Sequence, residues 1–528
     1  MKRFNTTGVC IPEKHYMADT SEKIYALGDF AEEGFYFTIN RPRQYGKTTS
    51  MFLLEQYLLK KGYLVIKISF EGVGDVIFQD EQHFASKFFK IMSSRVKFTD
   101  PVIADYLDSH SNSLTLKELS DEITAFIKYT QKKVVLEIDE VDKSSNNQLF
   151  LSFIGMLRDK YLLRNEDKDE TFHSVILAGV HDVKTLKAKI RSDQDAKLNS
   201  PWNIAIDIKK IDLSLNSHEI QTMLDDYFGD YPEHRFLFKC SNSQPCVSTF
   251  ANELYRLTSG YPFLVSRLCQ IIAEDICPEG AWTPDHLRQA TKLLLQESNT
   301  NFDSLIKNLE NNPDLYQLVY QALVEGKEIA FNIQNPLINL GVTYGVFQNN
   351  PGLLKIHNRI YEQLIFDYMS SKTETSISTN GYNFRGNFIN SDNSLDFEKI
   401  LLKFQAFMKE QYSEHNTAFL ERDGRLIFLA FLKPIINGKG FDFKEVQIAQ
   451  EKRLDVVVTY GQYKYIVELK IWYGPQYHKE GLVQLAEYLD AQGVDCGYLI
   501  VFDTKSKEKG FKKQTKTING KRIFGVWV

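Results

Sequence analysis

FYFTINRPRQYGKTTSMFLLEQYLLKKG, residues 35–62, is the stretch that decides the fold of most of this 528-residue chain. The uninterrupted apolar run FYFTIN (35–40) reads as a strand buried on both faces, and SMFLLEQYLLKKG (50–62) reads as a helix. Between them, Arg41-Pro-Arg-Gln-Tyr-Gly46-Lys47-Thr48-Thr49 meets the phosphate-loop pattern G-x-x-x-x-G-K-[ST] at Gly46, Lys47 and Thr48. It departs from the pattern at Arg41, where the first glycine is expected. That position eases the turn and supplies no ligand. The chemistry needs backbone N–H groups around a β-phosphate, here from Arg43, Gln44, Tyr45, Gly46, Lys47, Thr48 and Thr49. It also needs a lysine on the β/γ oxygens, Lys47, and a hydroxyl on Mg²⁺, Thr48.

A second signal follows about 90 residues on. Val134-Val-Leu-Glu-Ile138-Asp139-Glu140 is an apolar strand ending in two acids. Asp139 suits Mg²⁺ held through water, and Glu140 suits polarisation of an attacking water. A buried strand with a solvated acidic end would look the same in isolation. Two further runs, YLVIKISF (63–70) and HSVILAG (173–179), complete a set of strands alternating with helices, so a parallel α/β sheet is expected.

The length demands several domains, and the fraction of charged residues, 25%, is that of an ordinary globular protein. No apolar run reaches membrane-spanning length and the first residues lack a signal peptide's apolar stretch. The six cysteines are scattered, and even the closest pair, Cys240 and Cys246, lacks partners for zinc, so a reduced cytoplasmic protein is expected. The clearest boundary is Ser370 to Ser394, poor in aliphatics. Helices are expected over Leu213–Asn308, and short helices with the extended pieces EIAFNI and LLKIHN suggest a winged helix before the boundary. The expected division is 1–212, 213–308, 309–370, a linker at 371–394, and 395–528.

Charge is uneven across that boundary. From Asn393 onward there are 21 Lys+Arg against 17 Asp+Glu, whereas the remainder has 42 against 51. Lys505 to Val528 alone holds eight basic residues and one acid, which suits a phosphate backbone or, more simply, a solvated lysine-rich hairpin. In this half EKRLDVVVTYGQYKYIVELKIW (451–472) reads as two strands joined by a turn at Tyr460-Gly461-Gln462, with further strands at 441–449 and 497–502. Asp455 and Glu468 then lie near one another across the pair. Their carboxylates and the Leu469 carbonyl can bind Mg²⁺ or Mn²⁺, and Lys470, on the same face as Glu468, can act on water. The helix that follows carries Gln484 and Tyr488 four residues apart, on one face.

Two resemblances rest on these residues. The segments FNTTGVCIPEKHYM (4–17), INRPRQYGKTT, VLEIDEVD and SPWNIAIDI (200–208) resemble bacterial AAA-like ATPases of the STAND class, across about residues 1–370. That class has a Gly-x-Pro motif, matched by Gly260-Tyr261-Pro262, and a winged helix whose residue may meet the β-phosphate, for which His357 is the candidate. The resemblance implies an ATP-controlled switch that oligomerises, with Arg158 or Arg191 as arginine finger. Residues 400–528 resemble the PD-(D/E)XK nuclease superfamily through Asp455, Glu468-Leu-Lys470 and Gln484-x-x-x-Tyr488. This implies a mixed sheet with helices, a metal site completed by a helix glutamate (Glu421, with Glu410 and Glu414 as rivals), and Gln484 and Tyr488 beside the scissile strand. Together they imply an ATP-gated nuclease acting on nucleic acid, with DNA expected, in a role such as phage defence or mobile-element control. The competing reading is a nucleotide-dependent signalling or binding protein whose nuclease-like domain holds nucleic acid without cutting it.

Overall fold

The structure is a computed structural model of the chain, and it describes residues 2–70, 75–141, 148–180, 206–207, 211–234, 247–323, 329–350, 352–376, 388–412, 427–429, 431–432, 440–443, 456–460, 462–503 and 511–528. The chain forms two compact units: Met1–Leu318 with Glu328–Gln363, and Val319–Lys327 with Leu364–Val528.

The first unit is built on a parallel sheet. Its strands are β1 (Tyr36–Asn40), β2 (Leu64–Ser69), β3 (Val134–Asp139), β4 (Ser174–Gly179) and β5 (Ile206–Asp207), in the order β2-β3-β4-β1-β5. Every residue of β3 and β4 is buried, as continuous apolar runs covered on both faces require. Helices cover the sheet through a large aromatic core that includes Phe84, Phe88, Phe89, Phe126, Phe150 and Phe153. Because β4 separates β1 from β3, the loop leaving β1 and the acidic end of β3 open at the same carboxyl edge, flanking the end of β4. That edge is where an open α/β sheet offers a crevice to a ligand. Of the tract at 200–208, only Ile206 and Asp207 are described, as β5 beside Phe37 and Thr38.

Helices follow at Ser217–Asp230, Val247–Thr258, Pro262–Ile271, Pro284–Gln296 and Thr300–Glu310. The first of these begins with a capping box, in which Asn216 accepts from the Glu219 N–H and Glu219 accepts from the Asn216 N–H. The N-terminal segment docks on these helices: Phe4 packs against Tyr16, Tyr227 and the fully buried Trp282, and Lys2 pairs with Asp226. The helix Pro336–Thr343 then leads to an antiparallel hairpin of β6 (Phe347–Asn350) and β7 (Leu353–Ile356). The sequence reading expected EIAFNI as an extended piece; Ala330 makes a single antiparallel bridge to Leu353, and the main partner of β7 is β6.

The second unit holds a mixed sheet of β8 (Gly440–Phe443), β9 (Val456–Tyr460), β10 (Tyr463–Ile471), β11 (Cys496–Phe502), β12 (Lys513–Ile518) and β13 (Lys521–Trp527), in the order β12-β13-β11-β10-β9-β8. β10, β11 and β13 run parallel, and β8, β9 and β12 are antiparallel to their neighbours. The helix Pro475–Ala491 packs Leu482, Leu485, Ala486 and Leu489 against Ile466, Leu499, Val501 and Ile523 of the sheet. The lysine-rich C-terminal stretch does contain a hairpin, turned at Asn519-Gly520 with both residues at positive φ. Of the stretch expected as a linker, residues 371–376 are helical, within Arg359–Ser376, and Asn390 and Ser394 close a turn before the helix Phe397–Tyr412. Residues 377–387, and Cys240 and Cys246, lie outside the described residues. No helix among the described residues is long and apolar enough to cross a membrane.

Candidate nucleotide and nuclease sites

In the first unit the loop after β1 bends through left-handed Gln44 (φ 54) and Gly46 (φ 82) and enters α1 (Lys47–Lys60). No side chain caps the start of α1, so its first N–H groups remain available to an anion, as the phosphate-loop reading requires. Lys47 is buried, and its ammonium donates to the carbonyls of Arg41 (2.8 Å) and Pro42 (2.9 Å), folded back over the loop it would serve. The missing first glycine has a structural substitute. Arg41 donates its backbone N–H to Gly179 on β4, and its guanidinium to the carbonyls of Asn40 and Ile211 (both 2.8 Å). The Thr49 hydroxyl accepts the N–H of Cys10 at 3.1 Å. Thr48 follows Lys47 on the same first turn.

Asp139 ends β3 nearly buried and accepts the N–H of Glu140 at 2.9 Å, while Glu140 sits at φ 56, a conformation a non-glycine residue adopts only when its surroundings hold it there. Two residues earlier on β3, Glu137 is wholly buried, and its carboxyl is pushed up to about 8 by burial, against the pull of Lys67.

Segments far apart in sequence meet on Tyr45. Its hydroxyl lies 2.6 Å from the Ser214 hydroxyl and 3.1 Å from Nε2 of His357, and its ring packs edge-on against Tyr261. Tyr261 in turn donates to the Arg43 carbonyl, and Asn301 bridges it to Tyr361. Gly260 is at φ 71, and a Cβ there would sit 1.9 Å from the Leu215 carbonyl oxygen, so this position admits only glycine. A Cβ on Gly46 would lie 3.8 Å from Pro262, and one on Gly345 would lie 2.8 Å from Pro42. The loop, the Gly-Tyr-Pro turn and His357 are therefore in one cluster. His357 meets Tyr45, and burial drives its imidazole down to about 4, so it is neutral at physiological pH. Of the arginine candidates, Arg158 has a buried Nε with no hydrogen-bond partner among the described residues, and Arg191 lies outside them.

The site in the second unit is local. β10 alternates, so Glu468 and Lys470 share a face; Glu468 is 4% exposed and its Oε1 lies 3.1 Å from the Lys470 ammonium. Lys470 also donates to Gln484 Oε1 at 3.3 Å, from a helix we label α2 (Pro475–Ala491). Tyr488, one turn beyond Gln484, packs against the core beneath α2. Leu469 stands opposite Ile500 on β11. Asp455, Glu414 and Glu421 lie outside the described residues, and Glu410 is on the helix Phe397–Tyr412 with its side chain not described. Among the described residues no group of three metal-ligating side chains forms. Two residues escaped the sequence reading. Tyr477 places its ring 5.1 Å below the Lys470 ammonium, and Gly481 makes room for Lys470, since a Cβ there would come within 2.7 Å of that nitrogen. A glycine in the middle of an otherwise strong helix was the available signal for Gly481.

Residues 9–363 match the AAA-like domain family. The chain belongs to that family. Residues 440–514 match the PD-(D/E)XK nuclease superfamily, so an AAA-like domain stands N-terminal to a nuclease-superfamily domain. The fold expected from sequence, a P-loop parallel sheet with a C-terminal α/β domain, is the fold observed. Solved structures similar to this chain include a Walker-type ATPase of Pyrococcus abyssi (10% identity, covering 69% of this chain and 99% of that one, TM-score 0.43). The ORC2 protein of Aeropyrum pernix with ADPNP and ADP (12%, 70% and 98%, 0.35) and Cdc6p from Pyrobaculum aerophilum (12%, 70% and 97%, 0.32) are others. No curated protein matches the sequence.

Proposed function

We propose that this AAA-like protein is an ATP-binding and ATP-hydrolysing switch controlling a divalent-metal-dependent nuclease that cleaves phosphodiester bonds in DNA. The observation that carries the reading is the grouping of Glu468, Lys470 and Gln484 on adjacent elements of a nuclease-superfamily domain, in one chain with a loop whose helix start is left uncapped. Glu468 and the Leu469 carbonyl are hard oxygen donors, as Mg²⁺ or Mn²⁺ requires, and with Asp455 and Glu421 they would hold the ion. A bound ion lowers the pKa of water and neutralises charge on the phosphate. Lys470, already oriented by Glu468 and Gln484, steers the attacking water and the scissile phosphate, and Gln484 and Tyr488 position the strand.

In the AAA-like domain the N–H groups of residues 43–49 receive the phosphates, and Lys47 exchanges its two carbonyl partners for phosphate oxygens. Thr48 and Asp139 would hold Mg²⁺, and Glu140 takes the proton of the attacking water. The contacts of Tyr45 with Ser214 and His357 support a STAND-type device, in which Gly260, Pro262 and His357 close over ATP or ADP and copies of the chain assemble on exchange. Phage defence or mobile-element control suits such a pairing. The test is cleavage of labelled DNA and RNA by the full chain with Mg²⁺ or Mn²⁺, with and without ATP. Cleavage that requires ATP and disappears in Glu468→Ala and Lys47→Ala is the expected result; wild-type protein that leaves every substrate uncut sinks the proposal.

A further inference from the structure

Two exposed tyrosines flank the nuclease site. Tyr473 follows the end of β10 and is 52% exposed; Tyr477 lies in the first turn of α2 and is 45% exposed. Between them Gly474 takes φ 124, a turn that only glycine adopts readily, and it brings the rings to 5.4 Å at 90°. The Lys470 ammonium stands over the Tyr477 ring, so this aromatic surface begins at the residue that acts on the phosphate. One further cation, Lys516, lies on the same face of the sheet. His478 is buried against Trp472 and Trp527, and burial, then Lys516 and Lys470, hold its imidazole below the usual range. Lys516 belongs to the edge strand β12 and shares a face with Ile518, which packs against the core beneath α2.

Exposed aromatic faces beside a phosphate-directed lysine, with Lys516 on the same face of the sheet, form an arrangement suited to a strand whose bases are unstacked. In a continuous duplex the base faces are covered by their neighbours, and such rings would meet only sugar and phosphate. We infer that Tyr477, supported by Tyr473, stacks on a base of an unpaired nucleotide next to the scissile phosphate, and that the enzyme's substrate is single-stranded DNA or an unpaired flap. This rests on the nuclease reading above and names its substrate class.

The experiment uses the full chain with a thymidine oligomer carrying one central 2-aminopurine, and the same oligomer annealed to its complement. The wild type is expected to quench the 2-aminopurine of the single strand and to cut single strand in preference to duplex in Mn²⁺. Tyr477→Phe should retain both properties, and Tyr477→Ala should lose the quench and about tenfold in kcat/KM on single strand. Tyr473→Ala should show a smaller loss in the same direction. An unchanged quench in Tyr477→Ala, or duplex cut as fast as single strand, overturns the stacking inference and leaves the nuclease reading in place. Quenching without cleavage of any substrate sinks the nuclease reading and keeps the stacking surface, and a chain that neither quenches nor cuts overturns both.

Discussion

The loop site and the candidate nuclease site are built on opposite plans. Around Tyr45, one cluster draws on residues 41–47, Ser214, Gly260–Pro262, Asn301 and His357–Tyr361, held by hydrogen bonds that cross up to 312 positions of sequence. Around Lys470, the partners Glu468, Tyr477, Gly481 and Gln484 all fall within 17 residues, on one strand and the next helix. The first plan makes a site that exists only when distant segments are closed on it. The second makes a site that β10 and α2 carry as a local unit.

The sharpest way to break the non-local plan is Gly260→Ala. The added Cβ meets the Leu215 backbone at 1.9 Å and must adopt a left-handed φ, so we expect a loss of more than about 4 kcal/mol, read as collapse of the denaturant midpoint together with nucleotide binding. A midpoint within experimental error of wild type would remove the constraint. Next in size, Glu468→Ala should reduce metal-dependent cleavage by about a thousandfold while leaving ATP binding intact, because only the local site is touched. Lys47→Ala should instead lose ATP binding and turnover, and with them the ATP-dependent cleavage. A cross-effect on nucleotide binding in Glu468→Ala would blur the distinction between the plans.

Gly481→Ala separates stability from activity within the local site. Alanine in a helix interior should raise stability by about 1 kcal/mol. Yet its Cβ occupies the place of the Lys470 side chain, so cleavage should fall by about tenfold or more. Loss of stability together with activity would show that the side chain cannot move aside.

The remaining effect is a pH dependence of the first unit. Folded Glu137 keeps its proton up to about pH 8 against 4.5 for an ordinary carboxyl, so its contribution is lost as pH rises through 8. Folded His357 stays neutral down to about 4 against 6.5, so its contribution is lost as pH falls through 4. Between 4.5 and 6.5 unfolding releases one proton and takes up another, and these two slopes cancel. From 6.5 to 8 Glu137 acts alone, and stability should fall by about 1.4 kcal/mol per pH unit. Urea denaturation of Glu137→Gln should show that limb flattened; an unchanged slope assigns the titration to another group.

The same contrast explains what could be read from the amino acids alone. Apolar runs at 35–40, 63–70, 133–139 and 173–179 gave the strands of the parallel sheet, since burial on both faces leaves a continuous apolar signature. Glu468, Lys470 and Gln484 were legible because alternation along a strand and i, i+4 spacing along a helix are properties of a few adjacent residues. The hub at Tyr45 was not, for no local pattern tells that a tyrosine will meet Ser214 and His357. β12 and β13 were legible only as a lysine-rich hairpin and not as strands of the sheet, because Lys513-Gln-Thr-Lys-Thr517 carries no apolar residue. Gly481 was passed over inside a helix whose apolar face was sound on either side.

Arg41 has a consequence for anyone who would repair the phosphate loop toward its consensus. Where the consensus glycine relies on backbone freedom to make the bend, this chain clamps it with a guanidinium on the carbonyls of Asn40 and Ile211. The clamp ties the strand before the loop to the segment that leaves the sheet, so shaping the loop and fastening the sheet edge are one task of one side chain. Restoring the glycine would recover the letters of the motif and dismantle the brace that took their place, and a homologous chain that lacks the arginine should be found to carry the glycine.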